Sequence, residues 1–173
     1  LVAPEHLDEK FHNHVRRFRY GPGTVMVHLA LSEQAPWTRP EAREHMYVHI
    51  GPYLDDMDLA YTQAMAGLLP QRPMLVVGQP TVLDPSRAPA GRHVLWVQAR
   101  MFPGQIRGDA ASELTGTDWG EVKEAVGDRI MSQLEDYAPG IGAHVLGRHV
   151  LSPVDLEAAN PNLVGGDSLA GSH

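Results

Sequence analysis

An α+β fold, with a largely antiparallel sheet of about five strands and three main helices, is what this sequence predicts. Stretches of strict apolar alternation are interleaved with stretches whose apolar residues recur every three or four positions. Two connections between successive strand candidates are also too short for a crossover helix, which favours hairpin pairing over a parallel sheet.

Taken in order, Leu7, Phe11 and Val15 at four-residue spacing predict a short amphipathic helix over 5–17, stopped by Tyr20, Gly21, Pro22 and Gly23. Residues 24–31 alternate, with Val25, Val27, Leu29 and Leu31 on one side and Met26, His28 and Ala30 on the other. Two prolines make 36–43 a loop with room for one helical turn, after which 46–50 reads as a short strand closed by Gly51 and Pro52. A second helix carries Leu54, Asp58, Tyr61, Met65 and Leu68 on one stripe, with Gly67 and Pro70 marking its end. The compact apolar run MLVVG, 74–78, suits a buried strand.

Beyond a surface loop at 84–91, residues 93–101 form a second alternating strand. Leu95, Val97, Ala99 and Met101 lie on one side, and Val94, Trp96, Gln98 and Arg100 on the other. The longest helix runs from an Asp118 cap to about Tyr137, with Glu121 placed to complete a capping box and Pro139 and Gly140 ending it. A last strand over 144–151 leads to Ser152 and Pro153, the N-cap and first residue of a short helix ending near Ala159.

With 173 residues, 43% hydrophobic and 20% charged, the chain reads as one globular domain spanning 1–173. Its net charge of −7 leaves no electrostatic footprint for nucleic acid, and a small neutral or apolar partner fits better. No apolar run reaches the roughly 20 residues that span a bilayer, so the chain reads as soluble. The absence of cysteine excludes disulfides and thiolate chemistry and suits a reducing cytoplasm. Opening on Leu1 and ending at Gly171, Ser172 and His173 after a glycine-rich stretch, the sequence looks bounded by a cut or a disordered boundary.

Several motifs fail on inspection. Gly140, Gly142 and Gly147 follow a helix and lead into a strand, the reverse of a dinucleotide fingerprint. Gly21 and Gly23 flank Pro22, which lacks the amide a phosphate would need. His45 with His49, His12 with His14, and His144 with His149 do not assemble a metal site by spacing, and none is expected. No G-x-S-x-G elbow is present. Asp55, Asp56 and Asp58 crowd a helix start, where they favour the positive end of the dipole.

RFRYGPGTVMVHLALSEQAPW at 17–37, HIGPYLDDMDLAY at 49–61, RPMLVVGQPTVLDPSRAPAGRHVLWVQARMFPG at 72–104, then YAPG, RHVLSPVDL and NPNLVGGD from 160, resemble the phytoene desaturase-like oxidoreductases in order and spacing. The likeness is strongest to the phytoene dehydrogenase-related, pyridine nucleotide-disulfide oxidoreductase-domain branch, and it covers nearly the whole chain. It implies a longer FAD-dependent dehydrogenase or desaturase in which this region binds substrate, while other segments of the same polypeptide hold the FAD. The fragment alone is then expected to be inactive and to hold no cofactor of its own. The resemblance also implies that Gly165 and Gly166 approach the flavin.

The alternating strands supply the candidate substrate-binding residues: Met26, His28, Gln79, Trp96, Gln98 and Arg100, projecting from the sheet to line one cavity for a small-molecule substrate. Trp96 and Met26 would give apolar contact, and Gln98 or His28 would orient a polar group. Catalytic residues are not identified, and membrane association and homodimerisation stay open. The competing reading is a self-sufficient ligand-binding or dimerisation module without redox chemistry.

Overall fold

The alternating residues Gly23–Leu31 form strand β1, the centre of the sheet. In the computed structural model, which describes residues 2–51, 53–169 and 171, β1 lies antiparallel between β5 (His93–Phe102) and β7 (Val145–Leu151). Strand β4 (Met74–Gly78) continues the sheet beyond β5, and β2 (Tyr47–Ile50) closes it. The order is therefore β2-β4-β5-β1-β7 with every neighbour antiparallel. Among the described residues four α-helices accompany it: α1 (Glu9–Arg17), α2 (Leu54–Met65), α3 (Trp119–Glu135) and α4 (Pro153–Ala159). This is the α+β architecture expected. The expected features at Leu1, Pro52, Ser172 and His173 fall outside the described residues.

One sheet face is sealed. Val25, Val27, Leu29 and Leu31 of β1, with Leu75, Val77, Leu95, Val97 and Ala99 of the neighbouring strands, form one core with Val122, Val126, Ile130 and Leu134 of α3. These four helical residues recur at four-residue spacing, so burying that stripe holds α3 on the sheet. The helix sits close: a Cβ on Gly127 would come within 2.7 Å of Val150 Cγ2. Asp118 caps α3 by accepting from the Gly120 amide at 2.7 Å. The capping box expected with Glu121 is found at α4 instead, where Ser152 and Asp155 exchange bonds.

Four local expectations are corrected. The first helix starts at Glu9, where Asp8 accepts from the Phe11 amide at 2.7 Å, and residues 4–6 form a separate 3-10 turn. The stripe Leu54, Asp58, Tyr61 and Met65 of α2 faces solvent, while Ala60 and Ala64 are buried. Small side chains let this helix lie close to β5 and to β3 (Leu68–Leu69). Leu68 is thus strand and not helix, pairing parallel with β6 (Gly108–Asp109). In β5, Met101 adopts φ +70° where the register with β1 shifts, so Phe102 takes the core position expected of Met101. Among the described residues no helix is long and apolar enough to cross a membrane.

The small β3–β6 pair is tied to α3 by Arg129, whose guanidinium donates to both Asp109 carboxylate oxygens at 2.7 Å and to the Pro70 carbonyl at 3.1 Å. Burial alone would raise the Asp109 carboxyl, but the Arg129 hydrogen bonds, the Leu114 and Glu113 amides and the guanidinium charge outweigh it, holding it at about 2. Because this value lies below the ordinary 3.8, the stabilisation is complete above pH 3.8 and is lost as pH falls toward about 2. Arg129→Met strands the Asp109 side chain, only 1% exposed, without its counter-charge. Urea unfolding at neutral pH should show a loss of about 3–5 kcal/mol; a variant as stable as the parent contradicts this role.

Candidate functional site

The alternation that seals one side of the sheet determines what the other side presents, because successive residues of a strand point to opposite faces. Across the five strands, register places Tyr47, Gly78, Trp96, His28 and His149 in one row. The next row holds His49, Val76, Gln98, Met26 and Leu151, and beyond it lie Met74, Arg100 and Thr24. Five of the expected site residues, Met26, His28, Trp96, Gln98 and Arg100, therefore share one contiguous patch. All five are half-buried, in contrast to the sealed residues opposite.

Trp96 lies flat on Gly78, where any Cβ would overlap the indole ring. Tyr47 stands against it edge-on, with centroids 5.6 Å apart at 67°. The result is an aromatic platform at one end of the face, the Trp96 ring with Tyr47 inclined against it. Four residues along β5 from Trp96, Arg100 donates through Nε and Nη2 to Gln98 Oε1 at 3.0 and 2.8 Å. Between them, Met26 is opposite Gln98. Burial, and then the neighbouring His149, push the His28 imidazole below its ordinary value, so it stays neutral over more of the pH range.

The remaining expected residues lie elsewhere. Gln79 is buried at 3% exposure; its Oε1 accepts from Trp37 Nε1 at 2.8 Å and its Nε2 donates to the Ala42 and His45 carbonyls at 2.9 Å. Its amide anchors the 37–45 loop and does not join the patch. Gly165 and Gly166 have φ of +64° and +74° in the turn Val164–Gly166. The Gly165 amide donates to Glu157 at 3.0 Å, and Gly166 lies directly on Pro153. Tyr47, Gly78 and His149 belong to the patch but were not singled out from sequence. The parity of Gly78 with Val76 and the pairing of the last strand are the signals that carry them.

Recesses of about 430 and 440 Å³ lie in the helical layer: one runs beside Ala125, Arg129 and Gln133, and the other between the starts of α3 and α4. Charged side chains line both, with Ile106, Trp119 and Val154 also in the wall of the second, and neither reaches the aromatic platform. Among the described residues no three His, Asp or Glu side chains gather to hold a metal.

No family model matches the chain. It is 35% identical over 127 residues to pyridine nucleotide-disulfide oxidoreductase domain-containing protein 2 of Rattus norvegicus, a match covering 71% of this chain and 20% of that protein. The corresponding protein of Mus musculus is 33% identical over the same length, with the same coverage. Phytoene dehydrogenase of Streptomyces griseus is 28% identical over 141 residues, 81% of this chain and 25% of that protein. The chain is a sequence relative of the phytoene dehydrogenase-related oxidoreductases. It spans about a fifth of the length of the first relatives it matches.

The seat of Trp96 on Gly78 is directly testable. Gly78→Ala should lift the indole, shift its emission and cost about 1–3 kcal/mol as an over-packed contact. Trp37 and Trp119, at 5% and 4% exposure, stay buried and leave the change attributable to Trp96. Unchanged emission and stability would show that the contact is not made.

Proposed function

We propose that this chain is the substrate-binding region of an FAD-dependent dehydrogenase or desaturase, holding an apolar or small organic substrate on the open face of its sheet. The observation that carries the reading is the patch itself, a Trp96 floor with Tyr47 edge-on against it, continuous with Met26 and with the polar tips of Gln98, Arg100 and His28. Binding sites pair a largely apolar surface with a few placed polar groups. The likeness to phytoene dehydrogenase-related proteins supports the redox class.

Among the described residues, the glycine segments are engaged by contacts within the chain itself. Gly140 opens a 3-10 turn after α3, and its amide and that of Gly142 are directed to Glu135. The Gly165 amide is engaged by Glu157, and Gly166 is pressed onto Pro153. FAD is therefore assigned to other parts of the longer polypeptide, which are the natural partner of this region along with the substrate. In that arrangement the redox chemistry is the cofactor's, and this region binds and orients the substrate and excludes water. A cytoplasmic setting belongs to the same proposal.

The protein at its natural length should purify with flavin absorbance. Trp96→Ala and Gln98→Ala should each lower kcat/KM at least about tenfold, the loss of one good contact, with flavin content unchanged. A colourless full-length protein would instead favour a stand-alone ligand-binding module, and unaltered kinetics in both variants would remove the face from the reaction.

A further inference from the structure

The polar end of the face has a direction. A guanidinium only donates hydrogen bonds, so with Nε and Nη2 both on Gln98, it must be meeting the amide oxygen. The Gln98 amide is thereby fixed, and its NH2 is turned away from Arg100. Among the described residues that NH2 has no hydrogen-bond partner and Arg100 has no ion pair. Neither is among the buried polar atoms lacking a partner, so both reach open space.

The chain carries 21 acidic residues against 14 basic ones, yet none of the residues that register places on this face is Asp or Glu. Arg100, the Gln98 NH2, His28 and His149 leave the patch with donors and a fixed positive charge, beside an aromatic and thioether surface. An unpaired guanidinium with an adjacent amide donor matches the two oxygens of a carboxylate, and such charge-assisted bonds are the strong ones.

Building on the substrate-binding reading, we infer that the substrate of this face carries a carboxylate on its apolar body. Arg100 and the Gln98 NH2 take the carboxylate oxygens, and the apolar body lies across Met26 toward the Trp96 plane. The acceptor edge of a flavin offers a similar chemistry, and the two sources are separable by experiment.

The probes are parinaric acid and its methyl ester, which share one conjugated apolar body and differ in charge. Energy transfer from Trp96 reports their binding to the full-length protein, with Trp96→Phe as the control that assigns the signal. The acid should bind about 10- to 150-fold more tightly than the ester, the range expected for hydrogen bonds to a charged group. That preference should disappear in Arg100→Leu and shrink in Gln98→Leu, with flavin content and melting temperature unchanged. Equal binding of acid and ester, or a preference that survives Arg100→Leu, overturns the carboxylate assignment while leaving the substrate face intact. Loss of flavin from Arg100→Leu would assign the charge to the cofactor and also overturn it. Failure of both probes to bind a flavin-containing protein counts against the aromatic platform itself, and so against both readings.

Discussion

The antiparallel register of β1 with β5 is the constraint from which the rest follows. Val25, Val27 and Leu29 face α3 because they pair with Ala99, Val97 and Leu95, and the intervening residues have no freedom to choose a side. A slip of β1 by one residue would bury Met26 and His28 and expose Val25, Val27 and Leu29, and a slip of β5 would likewise bury Gln98 and Arg100. The pressure to seal α3 against the sheet thus also holds the open face in place. Met101 ends the alternation at the point where it is no longer useful. Its positive φ turns Phe102 inward to meet Trp119 edge-on at 5.9 Å, and the Trp119 indole donates to the Pro103 and Gly104 carbonyls at 3.1 and 3.2 Å.

Sequence-remote glycines close the other end of the domain. Gly23 at the start of β1 and Gly104 after β5 both face the Gly165 backbone, where a Cβ on Gly23 would come within 2.5 Å of the Gly165 carbonyl oxygen. Asp167 then accepts from the Gly21 amide at 2.7 Å, and Thr24 and Ser168 share a hydrogen bond at 2.9 Å. The YGPG turn and the LVGGD segment, distant in sequence, are two halves of one backbone junction. Their glycines answer to close approach and to left-handed φ, which explains them without a phosphate.

The strands were legible because alternation is a direct image of a one-sided sheet, and the shared face of Met26, His28, Trp96, Gln98 and Arg100 came with it. Gln79 was legible too, on a stricter reading. It has the parity of Leu75 and Val77, so its side chain belongs with the sealed side of the sheet, where it binds Trp37. The orientation of α2 was not legible, since Ala60 and Ala64 contribute little to an apolar pattern while Leu54, Tyr61 and Met65 dominate it. What decides that helix is closeness of approach, to which hydrophobicity is blind. Strands of two residues, such as β3 and β6, have no period to detect. The Arg129–Asp109 pair that steadies them spans 20 residues with no local signature.

A sheet face can bury a ligand from one side only, whereas small-molecule sites enclose most of their ligand's surface. Trp96 is held by Gly78 and Tyr47, and Gln98 by Arg100, so the floor is preorganised in the absence of any ligand. Such a floor acquires depth when a second wall closes over it. In the proposed reading that wall comes from the flavin-binding part of the polypeptide, in keeping with relatives of which the match to this chain covers only 20%. The division then has a physical logic. The rigid sheet fixes where the substrate lies, the second wall excludes water, and the polar tips beside Met26 set which end of the substrate faces inward.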